Sequence, residues 1–535
     1  MSENSSCGEN DIPAIVLKNC KEELSHPIHL LWEESLKSCF ISPCFKKQLI
    51  TPVHKKDSKA RAANYRPVSL TSHVMKIFER IIRKKLVKHL EENQLLCKCQ
   101  HGFRKGRSCL TQLLKHIDEI HLNLLQGEDT DVIYLDFEKA FDKVDHQILL
   151  QKLKDYGIRG RLYKWIEEYL RARQQVVVVD GKHSYPADVK SGVPQGTVLG
   201  PVLFLIYIND IEKCIKESTV SSFADDTRIK KNINKSTDVE ILQNNINNVV
   251  NWSKSNNMAL HEKKFEYLCH SATKHSLVEE LPFSSTYFTY NTPSGIQITP
   301  KSMVRDLGIN ITPDLNWTPH INIISDSAKK MMSWCLSVFK DRSKDTMLTL
   351  FKSMIRSRTE YCCPLWNPHK ISDIQTLESI QRTFTSKITG YSDFDYWTRL
   401  KMLRIYSLQR RRERYLLMHM FKILNDFTPN DLNINFIYSD RRGILAVVPP
   451  LVRNASAKHQ SNYDASFCVM GPKLWNTLPS QCRSRTTLCS FKSSLTKFLE
   501  MIPDQPPVSG YSCRNNNSIL QWRSEGGHQH DGWPL

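Results

Sequence analysis

No stretch of the 535-residue chain holds the ~18 consecutive apolar residues that a membrane-crossing helix needs. Neither a transmembrane helix nor a membrane partner is expected. The first residues lack a basic segment followed by an apolar one, so no secretory signal is read there. Cysteine is present but not organised. The 16 cysteines are scattered and read as reduced thiols, in a chain expected in the nucleus and cytoplasm. "CKCQH" puts Cys97, Cys99 and His101 close together, yet C-x-C lacks the usual two-to-four-residue gap and no second pair closes a zinc site. Repeats of fixed period are absent. Acids are also short, with 55 Asp and Glu against 74 Lys and Arg, a formal charge of +19. Solubility alone rarely needs such a surplus. It points to a polyanionic partner, nucleic acid before an anionic membrane surface.

The composition that remains, 40% hydrophobic and 24% charged, is that of a globular protein, and the length suits two to four domains. The bases cluster. Residues 45–110 carry 17 Lys or Arg against 4 Asp or Glu. Within them "RIIRKKLVKHLEENQ" keeps Ile77, Ile81, Ile82 and Leu86 on one helical stripe with bases opposite. At that density a phosphate-facing surface is expected. The middle reads as mixed α/β. "DVIYLDF" (131–137) is a short apolar run, a strand ending at Asp136. "DHQILLQKLKDYG" has helical spacing and a glycine stop at Gly157. "QVVVVDGKHSYPADV" is a hairpin around Asp180-Gly181. "VLFLIYINDIEKCI" is an apolar helix, and "TDVEILQNNINNVVNWSKSNN" opens with Thr237 and Glu240 in capping-box spacing. Beyond about residue 320 the pattern is mainly helical. The segment 396–424 sets eight Lys or Arg against one acid, a basic amphipathic helix expected to face RNA or a membrane. The tail from about Pro503 is rich in Pro, Gly, Ser and Asn and is expected to be disordered.

"SSFADDTRI" (221–229) places Asp225 and Asp226 side by side between apolar neighbours. An isolated Asp-Asp pair is ordinarily a hydrated turn. Here a strand ending in Asp136 lies earlier in the chain, and two strands meeting in one sheet bring three carboxylates together. Such a cluster is tolerable when hard divalent cations sit among its oxygens. Two ions ~3.5–4 Å apart can hold both oxygens of an in-line phosphoryl displacement. Two Mg2+ ions are expected, with Mn2+ as an alternative.

Several segments then resemble, in order, the reverse transcriptases of non-LTR (LINE-type, jockey-like) retrotransposons. They are "YRPVSLTSHVMKIFERII", "QHGFRKGRSCLTQLL", "YLDFEKAFDKVDH", "SGVPQGTVLGPVLFLIYINDI", "SFADD", "LHEKKFEYL" and "VRDLGI". Downstream, "YCCPLWNP" and "GPKLWNTLP" resemble the helical region that follows the polymerase in jockey-like elements. The resemblance covers roughly residues 13–500. It implies an α/β right-hand polymerase of fingers, palm and thumb followed by a mainly helical C-terminal region. The expected division is an N-terminal extension (1–45), fingers and palm (46–310), a helical thumb and C-terminal region (311–500) and a disordered tail (501–535).

The resemblance also implies roles. Asp136, Asp225 and Asp226 match the catalytic palm carboxylates, with the Phe137 carbonyl completing the metal shell. Gln195 matches the contact to the incoming nucleotide and template base, flanked by Gly192 and Gly196. Lys56 (or Lys55) and Arg66 match fingers residues that hold the triphosphate. Lys264 matches the lysine that acts on the leaving pyrophosphate. Phe141, five residues after Asp136, would pack under the sugar. Polymerases of the viral RNA-dependent RNA type tend to carry an acid at that place, so Phe141 favours deoxynucleotides. The implied partners are an RNA template, a DNA primer and dNTPs. Complete elements carry an endonuclease before the polymerase, and only about fifty residues precede the fingers here. The endonuclease is therefore expected to be absent from this chain and possibly supplied elsewhere. The rival reading is an inactive or co-opted relic that binds RNA without synthesis.

Overall fold

The structure is a computed structural model that describes residues 8, 11–55, 57–271, 288–432, 434–439, 443–447, 456–509 and 517–524. A short helix α1 (Ala14–Asn19) and a longer α2 (Lys21–Ser38) lead into strands β1 (Lys47–His54) and β2 (Tyr65–Leu70). Helices α3 (His73–Glu92) and α4 (Cys109–Gln126) follow, then β3 (Asp129–Leu135), α5 (His146–Asp155) and α6 (Gly160–Leu170). A three-strand run, β4 (Arg173–Val179), β5 (Lys182–His183) and β6 (Ala187–Val189), precedes α7 (Gly200–Ile208). The hairpin β7 (Thr219–Phe223) and β8 (Asp226–Ile233), helix α8 (Ser236–Ser255) and β9 (Glu266–His270) complete the central part.

Two sheets result. β1 pairs antiparallel with β2 and parallel with β4, and β4 carries β5 and β6. The other is fully antiparallel, in the order β7-β8-β3-β9. β3 is buried on both faces, which is why it reads as a continuous apolar run. Its side chains alternate: Val132 and Tyr134 join one core with α4, and Ile133 and Leu135 join another with α3, α5, α6, α7 and α8. Helix α7 is apolar all round and is buried over nearly its whole length. Asp180 and Gly181 both take positive φ, 49° and 76°, as the expected hairpin turn requires.

The first core does not stop at the sheet. It continues into α9 (Thr318–Val338), α10 (Lys344–Leu350), α11 (Arg356–Glu360), α12 (Ile371–Thr385), α13 (Tyr396–Leu403) and α14 (Leu408–Leu424). The helical region is therefore packed against α4 and one face of the central sheet, with no gap in the core near residue 310. Among the described residues no helix is long and apolar enough to cross a membrane.

Four expectations need correction. The tail is not disordered throughout. Residues 503–508 run along α13 and α14, where the Trp397 indole donates to the Pro506 carbonyl (3.1 Å) and Arg410 donates to that of Pro503 (2.9 Å). Val508 and Ile519 are buried. A Pro-rich chain without periodicity still orders when its carbonyls meet buried donors. Second, the basic run in α14 does not face RNA. Arg410 and Arg412 are each only 1% exposed. Arg410 pairs with Glu413 and Asp504, and Arg411 with Glu360, while Arg412 lies in the field of Glu378 and Glu360. Apart from Glu413, their partners lie outside α14, so local charge counting misread them. Third, α8 begins at Ser236, and Asp238, rather than a Thr237–Glu240 box, accepts from the backbone N–H groups of Asn234 and Lys235. On α3, Ile82 and Leu86 are buried as expected but Ile81 is 53% exposed. Fourth, Cys97 and Cys99 are not free thiols but are bridged to each other.

Candidate active site

The register of the central sheet assembles the carboxylates. Leu135 of β3 lies opposite Thr227 of β8, so the next step outward puts Asp136 across from Asp226. Asp225 sits in the two-residue turn between β7 and β8, whose ends pair as Phe223 with Asp226. Past β3, the chain stays pinned. The Asp136 carbonyl accepts from His261 N–H (2.8 Å), and Glu138 N–H donates to Ala259 (2.8 Å). The Phe137 ring is buried, its edge toward Trp252.

Burial, and then the charges of their neighbours, raise the affinity of Asp225 and Asp226 for protons. Desolvation is the main cause at Asp225, followed by the charge of Asp136, and its acidity is weakened despite the opposing charges of Arg66 and Lys55. Asp226 is pushed up to about 6, by desolvation and then by Asp225 and Asp136. A cluster that repels itself in this way, built only from hard oxygen acceptors, fits divalent cations. Nearby, Lys264 Nζ donates to Asp136 Oδ2 at 2.9 Å. That pair is half-exposed, so it adds little to stability. The carboxylates open onto a cleft of about 480 Å³ lined by Asp136, Asp226, Arg228, Lys263, Lys264 and Arg305.

A second group is built around Gln195. Gln195 donates from its amide to Asp142 Oδ1 (3.0 Å), and its carbonyl accepts from Ser69 N–H of β2 (2.6 Å). The loop carrying Gln195 is drawn close to both supports. At Gly196 (φ 108°) a Cβ would lie 2.6 Å from the Ser69 carbonyl oxygen, and at Gly192 (φ 91°) one would lie 2.8 Å from that of Asp142. Both positions therefore need glycine. A 390 Å³ cleft lies here, lined by Gln48, Ser69, Lys139, Asp142 and Gln195 among others. Phe141 stacks on the buried Phe204 ring (4.2 Å, 16°) and meets Phe103 edge-on, and it keeps part of its ring exposed.

The expected residues thus converge in large part. Asp136, Asp225 and Asp226 lie together, and Lys264 joins them. Lys55 and Arg66 stand on the first sheet close enough for their charges to act on Asp225. Gln195, Gly192 and Gly196 form a separate contact with Phe141 and Asp142. Lys56 lies outside the described residues. The sequence reading missed Asp142, whose signal was a second aspartate six residues after Asp136. It also missed Glu79, buried on α3, whose carboxylate accepts from Val198 N–H (2.6 Å) and Leu199 N–H (3.0 Å) and so holds the start of α7. Nothing local marks Glu79 as different from the other charged residues of its helix.

Residues 53–311 match the family described as reverse transcriptase (RNA-dependent DNA polymerase). That stretch is a reverse transcriptase domain. The probable RNA-directed DNA polymerase from transposon X-element of Drosophila melanogaster is 25% identical over 402 residues, 73% of this chain and 42% of that protein. The RNA-directed DNA polymerase from mobile element jockey of Drosophila funebris is 24% identical over 341 residues, 61% of this chain and 36% of that protein. The kinship with non-LTR, jockey-like elements implied by the motifs is thereby borne out. The chain spans about two fifths of the length of these relatives. Among solved structures, apo telomerase from Candida tropicalis aligns with a TM-score of 0.41 at 12% identity, over 74% of this chain and 71% of that one. Reverse transcriptases as a family use divalent metal ions, in keeping with the carboxylate cluster.

Proposed function

We propose that the chain is an RNA-directed DNA polymerase that extends a DNA 3′-hydroxyl on an RNA template, taking dNTPs and using Mg2+. The observation that carries this reading is the β3–β8 register, which sets Asp136 against Asp226 beside Asp225. Two divalent ions, when bound there, supply Lewis-acid stabilisation of the charge that develops at phosphorus. Asp136, Asp225 and Asp226, with the Phe137 carbonyl, are the ligands assigned to them. Lys55 and Arg66 bind the triphosphate, the arginine through its planar fork of donors. Lys56 is the alternative to Lys55 in the same stretch. Gln195 orients the nascent base pair, its amide held by Asp142, and Gly196 lets the backbone approach. Phe141 excludes a 2′-hydroxyl, and Lys264 acts on the leaving pyrophosphate. The strong positive charge of the chain supports an RNA template and DNA primer as partners, with the nucleus and cytoplasm as its compartments.

Primer extension by the purified chain tests the reading, on one RNA template with Mg2+ and either dNTPs or NTPs. Extension with dNTPs is expected. RNA binding without any extension would refute it in favour of a relic that only binds, and a preference for NTPs would refute the choice of substrate.

A further inference from the structure

The turn that presents Asp225 is awkward for its sequence. Ala224 takes φ 57°, a left-handed conformation that a residue with a Cβ rarely adopts. It is also only 5% exposed, so its peptide groups need partners other than water. β7 is an edge strand of the central sheet, and among the described residues no strand pairs with its outer edge to supply them.

The partners come from residues 99–102. Ser222 N–H donates to the Cys99 carbonyl (3.0 Å) and His101 N–H to that of Ser222 (2.8 Å), forming a parallel bridge at Gln100. Beyond the bridge the backbones part, and a side chain takes over. Gln100 Oε1 accepts from Ala224 N–H (2.8 Å) and from Gly102 N–H (2.8 Å), while Gln100 Nε2 donates to the Ala224 carbonyl (3.2 Å). The amide thus meets Ala224 as a strand's peptide group would. Gln100 itself is 4% exposed. The approach leaves no room at Gly102, where a Cβ would lie 2.4 Å from Ala224 N. The segment is anchored on its far side as well. Cys97 N–H donates to Asn209 Oδ1 (2.8 Å), and Arg104 donates to the Cys97 carbonyl (2.7 Å).

We infer that Gln100 is a positioning residue for the catalytic turn, holding Ala224 left-handed so that Asp225 and Asp226 present their oxygens to divalent cations together. This rests on the proposed reading of the carboxylates as metal ligands. Gln100 touches neither substrate nor ion. Its effect passes through the backbone on which both aspartates are mounted.

The test uses the full chain with Gln100→Met, which keeps length and packing but removes all three hydrogen bonds. Mn2+ binding is measured by electron paramagnetic resonance without nucleic acid, and primer extension is measured alongside. Loss of a partner that orients ligands from outside the metal shell costs about 10–100-fold in metal affinity or activity. We expect weaker Mn2+ binding and lower kcat in that range, with KM for dNTP and RNA affinity little changed. Adding Ala224→Gly, which adopts positive φ without the penalty, should recover much of the loss in Q100M. Unchanged Mn2+ binding and kcat in Q100M would overturn the inference. So would a loss confined to RNA affinity, or a loss that A224G leaves untouched in a double variant whose melting temperature matches wild type. If Q100M does not fold, Gln100→Glu keeps the acceptor for the two N–H groups but sets an oxygen against the Ala224 carbonyl in place of the donor, so weaker Mn2+ binding that Ala224→Gly recovers is expected, and Mn2+ binding equal to wild type would overturn the inference. Should the wild-type chain bind no Mn2+, the metal reading itself fails, a result distinct from equal binding by wild type and variant.

Discussion

Shortening Phe141 should admit ribonucleotides. Its ring stacks face to face on Phe204, which is fully buried in α7, and the turn is held by Val193 N–H donating to the Phe141 carbonyl (2.8 Å). The ring therefore cannot swing away from an incoming sugar without losing its support. A 2′-hydroxyl placed against it is desolvated without a partner, at a cost of about 1–3 kcal/mol, roughly 5- to 150-fold in selectivity before any steric contribution. Phe141→Val removes the wall but keeps a branched apolar residue against Phe204. The lost ring pair is worth about 0.5–1.5 kcal/mol, so the melting temperature should fall by a few degrees. The assay is kcat/KM for dCTP and CTP on one RNA template. The dCTP-to-CTP ratio should fall by at least about tenfold in the variant, most of it through gain of CTP use. A lowered melting temperature with an unchanged ratio would show that Phe141 is only core and that the sugar is sensed elsewhere.

Asp225→Asn should abolish extension while the protein folds, and should lower the proton affinity of Asp226, because the Asp225 charge is one of its causes. A raised carboxylate pKa gives stability that is present below the unfolded value and lost as pH rises through about 6, so metal-free wild type should gain more from D225N at pH 7.5 than at pH 4. Equal gains at the two pH values would refute this coupling. RNA affinity should fall with salt at a log–log slope of about −0.7 per phosphate contact on single strands. Lys84→Ala, on the exposed basic face of α3, should make that slope shallower, whereas Arg410→Ala should leave it alone and instead destabilise the fold by about 3–5 kcal/mol, as breaking a buried ion pair does. A salt titration and thermal melts of both variants separate the two roles. Glu378 is held at about 7 by burial, against the opposing charge of Arg412 and donation from the Tyr396 hydroxyl. Wild type should therefore lose stability relative to Glu378→Gln as pH rises from 4.5 through 7, and a pH-independent difference in melting temperature would count against it.

Much of the candidate site was legible because its signals are local. Asp136 ends an apolar run, Asp225 and Asp226 share a turn, and the glycines flank Gln195, each within a few residues. A strand buried on both faces also writes itself as a run such as "DVIYL". Local spacing does not carry the pairing of β3 with β8, since register depends on which side chains share a face across about ninety residues of chain. What local pattern could not convey was who pairs with whom. The arginines of α14 looked like a surface because their acids, Glu360, Glu378 and Asp504, lie on other elements. The tail looked disordered because its order comes from the donors of Trp397 and Arg410, not from its own periodicity. Gln100 and Glu79 are ordinary polar residues in sequence, and they acquire meaning only where folding leaves a buried backbone N–H without a partner beside them. The chemistry of the site is set by residue type and short spacing, which one segment carries by itself. Its geometry is set by long-range hydrogen bonds, and those exist only once the sheet has closed.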